Sequence, residues 1–227
     1  MFIFKLLLTL FLNTTIFGGL LFLLAGTLDW WHAWVFLGVI SIGVILTMVD
    51  VFREDEALWN ERLKPPIQPD QPLVDKIIVS LFILTFFGLI AFIPLDVFRF
   101  HLFGKPSAIT SALGLLLFAI GWGLIHLAFK ENTFAAPAVK HQIERQQTVI
   151  DTGIYGIVRH PLYAGAALLV IGMPLWLESY AGILFAIVPI ILLMVRIPFE
   201  EQFLKQELKG YDAYIERVPY RLLPYFW

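Results

Sequence analysis

The stretch TGIYGIVRHPLYAG, residues 152–165, places two basic side chains directly before the start of a helix. A residue that precedes proline is disfavoured in the α region, whereas proline itself suits the first helical turn, so a helix is predicted to begin at Pro161. Arg159 and His160 then lie beside the positive end of the helix dipole. A guanidinium, an imidazole and the first-turn N–H groups together form a natural anion site.

The helix that follows belongs to a chain that is too apolar for a soluble domain. Hydrophobic residues make up 59% of its 227 residues and the mean hydropathy is +0.80, against roughly 45–50% hydrophobic residues in soluble domains. The apolar segments are 6–28, 30–49, 77–95, 109–129, 162–177 and 180–195. The fold class predicted is all-α, a multi-spanning membrane helix bundle with about six transmembrane segments.

The apolar segments differ in length and in packing signals. The first four are long enough to cross a bilayer, whereas the last two have 16 residues each. They must extend into their flanks, cross a thinned region of the bilayer or form a short C-terminal helical hairpin. In the fourth segment, Gly114 and Gly121 predict close packing against a neighbouring helix, because small residues let helix backbones approach. Residues 50–76 are interpreted as a solvated loop that contains a short helix and a proline-rich connector.

Basic residues predict the orientation of the bundle. With six crossings and a cytoplasmic N-terminus, fourteen of the sixteen lysines and arginines fall on the cytoplasmic side, and only Arg99 and Lys105 fall outside. Because Lys and Arg accumulate in cytoplasmic loops, both termini and the 152–165 stretch are predicted to be cytoplasmic. A net charge of −2 without a basic cluster argues against a nucleic-acid partner. The absence of cysteine excludes disulfides and thiolate metal sites, and no metal site is predicted.

Polar side chains at both ends of the hairpin are expected to meet on the cytoplasmic side. Arg196, Glu200 and Glu201 follow the last apolar segment. Arg196 and Glu200 are four residues apart and can share a helix face, although Pro198 lies between them and can distort the turn. Together with the 152–165 stretch, these groups suit a zwitterionic ligand. Arg159 can hold a carboxylate, and either glutamate can accept hydrogen bonds from an ammonium group or from ribose hydroxyls.

Aromatic residues complete this predicted pocket. Tyr155 and Tyr163 can stack on a ring or face a cation. In the tail, Gly210 suits a helix C-cap, and Tyr211 and Tyr214 are among the residues that recur at helical spacing. The tail is therefore predicted to contain an interfacial helix that lies along the membrane surface. From the residues alone, the result is an ion-binding pocket at a membrane interface.

The RHPLYAG residues at 159–165 resemble the R-H-P-x-Y-x-G signature of the isoprenylcysteine carboxyl methyltransferase and phospholipid methyltransferase superfamily. The preceding TGIY is similar to the T-G-P-Y lead-in of that superfamily, with Ile154 in place of proline. The downstream residues that follow the same order are Arg196, Glu200, Glu201, Leu204, Gly210, Tyr211, Tyr214, Val218, Arg221 and Pro224. The resemblance covers about residues 132–227, and residues 1–130 match only as hydrophobic spans.

The resemblance implies an integral-membrane methyltransferase that uses S-adenosylmethionine. The acceptor would be lipophilic, either an isoprenylcysteine-like carboxylate or a phospholipid amine, and would enter from the bilayer. Residues 1–130 would form spans one to four, and residues 131–227 would form the cofactor-binding catalytic region. The site residues expected are Arg159, Arg196 and Glu200 for catalysis and Tyr155, His160, Tyr163, Glu200 and Glu201 for the cofactor.

Two other functions remain open at this point. Membrane sterol and enone reductases carry a similar R-H-P-x-Y-x-G element but use NADPH, although the double glutamate followed by G-Y-x-x-Y favours the methyltransferases. A non-catalytic membrane partner is the other alternative, in which the charged residues at 159, 196, 200 and 201 only form interfacial ion pairs. The acceptor and the oligomeric state are not determined by the sequence.

Overall fold

The computed structural model describes residues 2–51, 56–69, 71–136, 138 and 142–227, and the regular structure in these ranges is entirely helical. The α-helices are α1 (Phe2–Ala25), α2 (Trp31–Val51), α3 (Glu56–Arg62), α4 (Leu73–Leu95), α5 (Ala108–Glu131), α6 (Pro161–Trp176), α7 (Tyr180–Glu207) and α8 (Tyr211–Arg217). A π-helical turn, Asp96–Phe100, continues α4, and short 3-10 turns occur at Ile143–Arg145 and Gly153–Gly156. The predicted all-helical bundle is confirmed.

Five of the described helices are long and apolar enough to cross a membrane, namely α1, α2, α4 with its π-helical continuation, α5 and α7. Helix α6 is apolar but has only 16 residues. The chain is therefore a multi-pass membrane protein, and the expected number of about six spans agrees with five long helices and one short one. Helix α6 begins at Pro161, as the sequence predicts.

The second arm of the hairpin extends into its flank, which was one of the possibilities for a 16-residue apolar segment. The apolar segment was expected to end at residue 195, but α7 continues through Pro198 to Glu207 and has 28 residues. The sequence EEQFLKQE at 200–207 consists mainly of strong helix formers, so the helix extends beyond the point where hydropathy falls. As a result, Glu200 and Glu201 lie on the same helix as Arg196.

Helices α5 and α6 pack with their backbones in contact. A Cβ atom on Gly121 would lie 2.6 Å from the carbonyl oxygen of Gly165, and one on Gly172 would lie 2.5 Å from the carbonyl oxygen of Gly114. The close packing predicted for Gly114 and Gly121 is confirmed, and their partner is the helix that starts at Pro161. Gly165, the last residue of RHPLYAG, therefore serves helix packing.

The far end of the hairpin is attached to α4 by buried polar groups. The hydroxyl of Ser179, which caps the N-terminus of α7, donates a hydrogen bond of 2.6 Å to the Asp96 carboxylate. The same hydroxyl accepts a hydrogen bond of 2.8 Å from the backbone N–H of Gly182. These contacts fix α6 and α7 relative to α4 at the end of the bundle opposite to the 152–165 stretch.

The tail folds back on the end of α7. Gly210, with φ of +91°, does not act as the C-cap of a helix as expected, because α7 is capped by Leu208 and Gly210 directly precedes α8. Leu208, Tyr211, Tyr214 and Val218 form a small buried cluster. The side chains of Tyr211 and Tyr214 therefore pack inside the protein, and this packing positions the tail beside the hairpin.

Candidate active site

A cavity of about 640 Å³ lies between the helices at the end of the bundle where α6 begins. Its wall changes from apolar to polar along α7, because Leu193, Arg196 and Glu200 all line it within about two helical turns. The apolar part of the wall includes Val44, Met48, Val79, Phe82, Ile83 and Leu193. The polar part includes Tyr155, Arg159, His160, Tyr163, Arg196 and Glu200. Seven residues were predicted for the site, and six of them line this cavity.

Glu200, Tyr163 and His160 form one connected group on the cavity wall. The Tyr163 hydroxyl donates a hydrogen bond of 2.5 Å to Glu200 Oε2. The rings of His160 and Tyr163 are nearly parallel, with an interplanar angle of 4° and centroids 5.5 Å apart. The group thus presents a carboxylate beside two flat aromatic faces.

Glu201, the seventh predicted residue, has a different environment. Successive residues on an α-helix point about 100° apart, so two adjacent glutamates cannot face the same surface. Glu201 is buried, with 5% of its side chain exposed, and it is not among the described residues that line the cavity. Its Oε1 atom accepts a hydrogen bond of 2.7 Å from Arg159 Nε and lies 3.2 Å from His160 Nε2. Its Oε2 atom accepts hydrogen bonds of 3.0 and 2.9 Å from Arg221.

The backbone of the tail occupies the N–H groups that precede α6. The N–H of Arg159 donates to the carbonyl of Tyr220, and the N–H of His160 donates to the carbonyl of Arg221, both at 2.9 Å. Arg159 Nη1 also donates a hydrogen bond of 2.5 Å to the carbonyl of Val218. The anion that meets Arg159 and His160 in this structure is therefore the Glu201 carboxylate, a group of the protein itself.

Arg196 pairs with Asp75, a residue that was not predicted to belong to the site. Its Nε and Nη2 atoms donate to the two carboxylate oxygens of Asp75 on α4, at 2.7 and 3.3 Å. Asp75 is buried and also accepts a hydrogen bond of 2.5 Å from Gln71 Nε2. The Arg196 guanidinium lies 5.7 Å from the centroid of the Tyr163 ring. Arg196 therefore links α4 to the polar wall of the cavity.

Three tyrosines from outside the spans close this end of the cavity. Tyr155, in the Gly153–Gly156 turn, lines the cavity together with Tyr211 and Tyr214, and its carbonyl accepts a hydrogen bond of 2.8 Å from the Tyr214 hydroxyl. Burial raises the pKa of all three phenols above the ordinary value for tyrosine. They are therefore neutral at physiological pH. Residues 147–150 of the preceding loop also contribute to the wall.

Residues 109–209 match the family model described as phospholipid methyltransferase. This match supports the methyltransferase superfamily for this part of the chain. A similar curated protein is protein-S-isoprenylcysteine O-methyltransferase B of Arabidopsis thaliana, which is 35% identical over 83 residues. The aligned region covers 36% of this chain and 42% of the plant protein. The superfamily predicted from the RHPLYAG residues is confirmed.

The family match covers α5, α6 and α7 almost completely and includes the His160, Tyr163 and Glu200 group. It does not extend to α2 and α4, which supply much of the apolar wall, or to Asp75. The cavity is thus built partly from the matched methyltransferase region and partly from the N-terminal spans.

Proposed function

We propose that this protein is an integral-membrane methyltransferase that transfers a methyl group from S-adenosylmethionine to a lipophilic acceptor. The acceptor would carry an isoprenylcysteine-like carboxylate or a phospholipid amine. The observation that carries the proposal is a cavity in which a polar wall at the helix ends continues into an apolar wall between the spans. The match of residues 109–209 to the phospholipid methyltransferase family model supports it.

The polar part of the cavity fits the chemical groups of S-adenosylmethionine. The Glu200 carboxylate can accept hydrogen bonds from its ammonium group or its ribose hydroxyls. The parallel rings of His160 and Tyr163 offer faces to the adenine ring or to the sulfonium cation, and Tyr155 adds a neutral phenol at the same end. When bound, this cofactor supplies an activated methyl group.

Glu201 has a less direct role in this proposal. Its carboxylate connects Arg159 and His160 at the start of α6 with Arg221 in the tail. It holds the His160 ring where that ring stacks on Tyr163. Glu201 therefore supports the cofactor end of the cavity by positioning the residues that line it.

The residues of the chain would contribute mainly alignment and exclusion of water. Arg196 lines the cavity between the apolar and polar parts, so it can orient an anionic group on the acceptor, and Arg159 lies at the polar end. A carboxylate acceptor has no proton to lose. An amine acceptor must lose one, and Glu200 or His160 is then placed to take it.

The proposal assigns different tasks to the two parts of the chain. Residues 131–227 carry the donor end of the cavity, and residues 1–130 supply the α2 and α4 side chains of the apolar wall. The partners would be the acceptor and membrane lipids. The distribution of basic residues supports a cytoplasmic location for the donor end.

Transfer of a labelled methyl group tests this function. Purified protein would be incubated with a lipid extract and S-adenosylmethionine that carries a deuterated methyl group, and the lipids would be analysed by mass spectrometry. We expect a lipid product with a mass increase from one labelled methyl group, and a greatly reduced yield with Glu200→Gln. A protein that binds the cofactor but labels no lipophilic molecule would contradict the proposed acceptor class.

A further inference from the structure

Arg196 has two candidate carboxylate partners, Glu200 on the same helix and Asp75 on α4. It is bonded to Asp75, although Asp75 is the more distant of the two in the sequence. Glu200 is four residues further along the same helix, at the spacing at which oppositely charged side chains commonly pair. In the structure, two atoms of the Arg196 guanidinium instead contact Asp75, which belongs to α4. This choice of partner affects the cavity, because Arg196 and Glu200 both line it.

Asp75 does not itself line the cavity. It is 4% exposed and is not among the described residues that line the cavity. The side-chain amide of Gln71 donates a hydrogen bond of 2.5 Å to the same Asp75 oxygen that accepts from Arg196 Nη2. A buried carboxylate is costly unless charged and polar partners compensate it, and here Arg196 and Gln71 provide that compensation.

The Glu200 carboxylate has a different partner, Tyr163. It accepts the hydrogen bond from Tyr163, whose ring lies 5.7 Å from the Arg196 guanidinium. If the charge of Asp75 were removed, Arg196 would be a cation in a poorly solvated site with Glu200 as the nearest anion on its own helix. The attraction between opposite charges is strong in such an environment, so Arg196 would turn towards Glu200.

We propose that Asp75 is a positioning residue that holds Arg196 away from Glu200. It thereby keeps the Glu200 carboxylate available for Tyr163 and for the methyl donor. The statement about the donor rests on the proposed function, whereas the statement about Tyr163 does not. Asp75, a residue of the N-terminal spans, would thus determine which partners are available to the Glu200 carboxylate on α7.

The first test needs no ligand. In protein with ¹³C-labelled tyrosine, the Tyr163 signal would be assigned by its loss in Tyr163→Phe and compared between the wild type and Asp75→Asn. We expect the signal to shift in Asp75→Asn because Tyr163 loses its carboxylate partner. Asp50→Asn is the matched control, since Asp50 also pairs with a cation, Lys130, but is half exposed. An unchanged Tyr163 signal in Asp75→Asn would overturn the proposal.

A double variant covers the case in which the single variant fails to fold. Asp75→Asn combined with Arg196→Met removes both charges, and replacing both members of a buried pair is tolerated better than removing one. We expect the Tyr163 signal of the double variant to match the wild type, because no cation remains to compete for Glu200. A double variant that lacks the wild-type signal would show that Arg196 itself maintains the Tyr163–Glu200 contact.

Binding of S-adenosylhomocysteine, measured by calorimetry, tests the functional consequence. Asp75→Asn should weaken binding about tenfold, the loss expected from one hydrogen bond to a charged group, and the double variant should bind with close to wild-type affinity. If the double variant binds as weakly as the single one, Arg196 contacts the donor directly and the proposal fails. If the wild type does not bind at all, the proposed function fails, and the Tyr163 signal still decides the role of Asp75.

Discussion

Tyr163 on α6 donates a hydrogen bond of 2.5 Å to Glu200 on α7, and this bond joins the two arms of the hairpin on the wall of the cavity. The next residue, Glu201, is buried and bonded to Arg159, His160 and Arg221. The paired glutamates therefore differ in environment, since Glu200 faces the cavity and Glu201 joins the start of α6, α7 and the tail.

Neutralising Glu200 should mainly weaken cofactor binding, whereas neutralising Glu201 should mainly lower the stability of the protein. Glu200→Gln should weaken binding of S-adenosylhomocysteine about tenfold with little change in thermal stability, since it removes a charged hydrogen-bond acceptor from the cavity. Glu201→Gln should lower the free energy of unfolding by about 3 kcal/mol, because it disturbs a buried charge network. Calorimetry measures the binding affinity, and thermal unfolding in detergent measures the stability. Normal stability with lost binding in Glu201→Gln would instead make Glu201 a direct cofactor ligand.

A methyl group at the contact between α5 and α6 should destabilise the protein. Gly121→Ala would place Cβ 2.6 Å from the carbonyl oxygen of Gly165, so we expect a loss of about 1–3 kcal/mol of unfolding free energy. Gly123→Ala is the matched control on the same helix, because a Cβ there would meet no atom of the described residues within 4 Å. Thermal unfolding in detergent compares the two variants. Equal stability would show that the two helices can separate without cost.

Filling the apolar part of the cavity should weaken binding of the acceptor and leave binding of the methyl donor unchanged. Ile83→Trp adds bulk to the cavity wall, so the KM for a lipophilic acceptor should rise while the affinity for S-adenosylhomocysteine stays the same. Leu84→Trp provides the control, since the neighbouring side chain of Leu84 is 69% exposed on the surface of α4. Steady-state kinetics with a methylated lipid product gives the KM. If Ile83→Trp weakened only donor binding, the apolar part of the cavity would hold the donor and not the acceptor.

The orientation in the membrane can be tested with single cysteines, because the chain contains none. Lys105→Cys and Lys209→Cys place exposed thiols at opposite ends of the bundle. If the site is cytoplasmic, a membrane-impermeant maleimide should label Lys105→Cys in intact cells and label Lys209→Cys only after permeabilisation. The opposite labelling pattern would place the site outside.

The sequence predicted the helical bundle, the start of α6 and six residues of the polar cavity wall, because hydropathy and the residues around Pro161 are local signals. Asp75 was not predicted to belong to the site. An acidic residue in the first turn of a helix is common, so its pairing with Arg196, 121 residues away, left no local signal. The different orientations of Glu200 and Glu201 also depend on how α7 is rotated against α6, and this rotation is determined by packing between the helices.

Calorimetry of the purified wild-type protein in detergent tests the central claim most directly. S-adenosylhomocysteine and NADPH would be titrated separately, since a membrane reductase with a similar R-H-P-x-Y-x-G element would use NADPH. Our account predicts saturable binding of S-adenosylhomocysteine and no binding of NADPH. Binding of NADPH without binding of S-adenosylhomocysteine would contradict it.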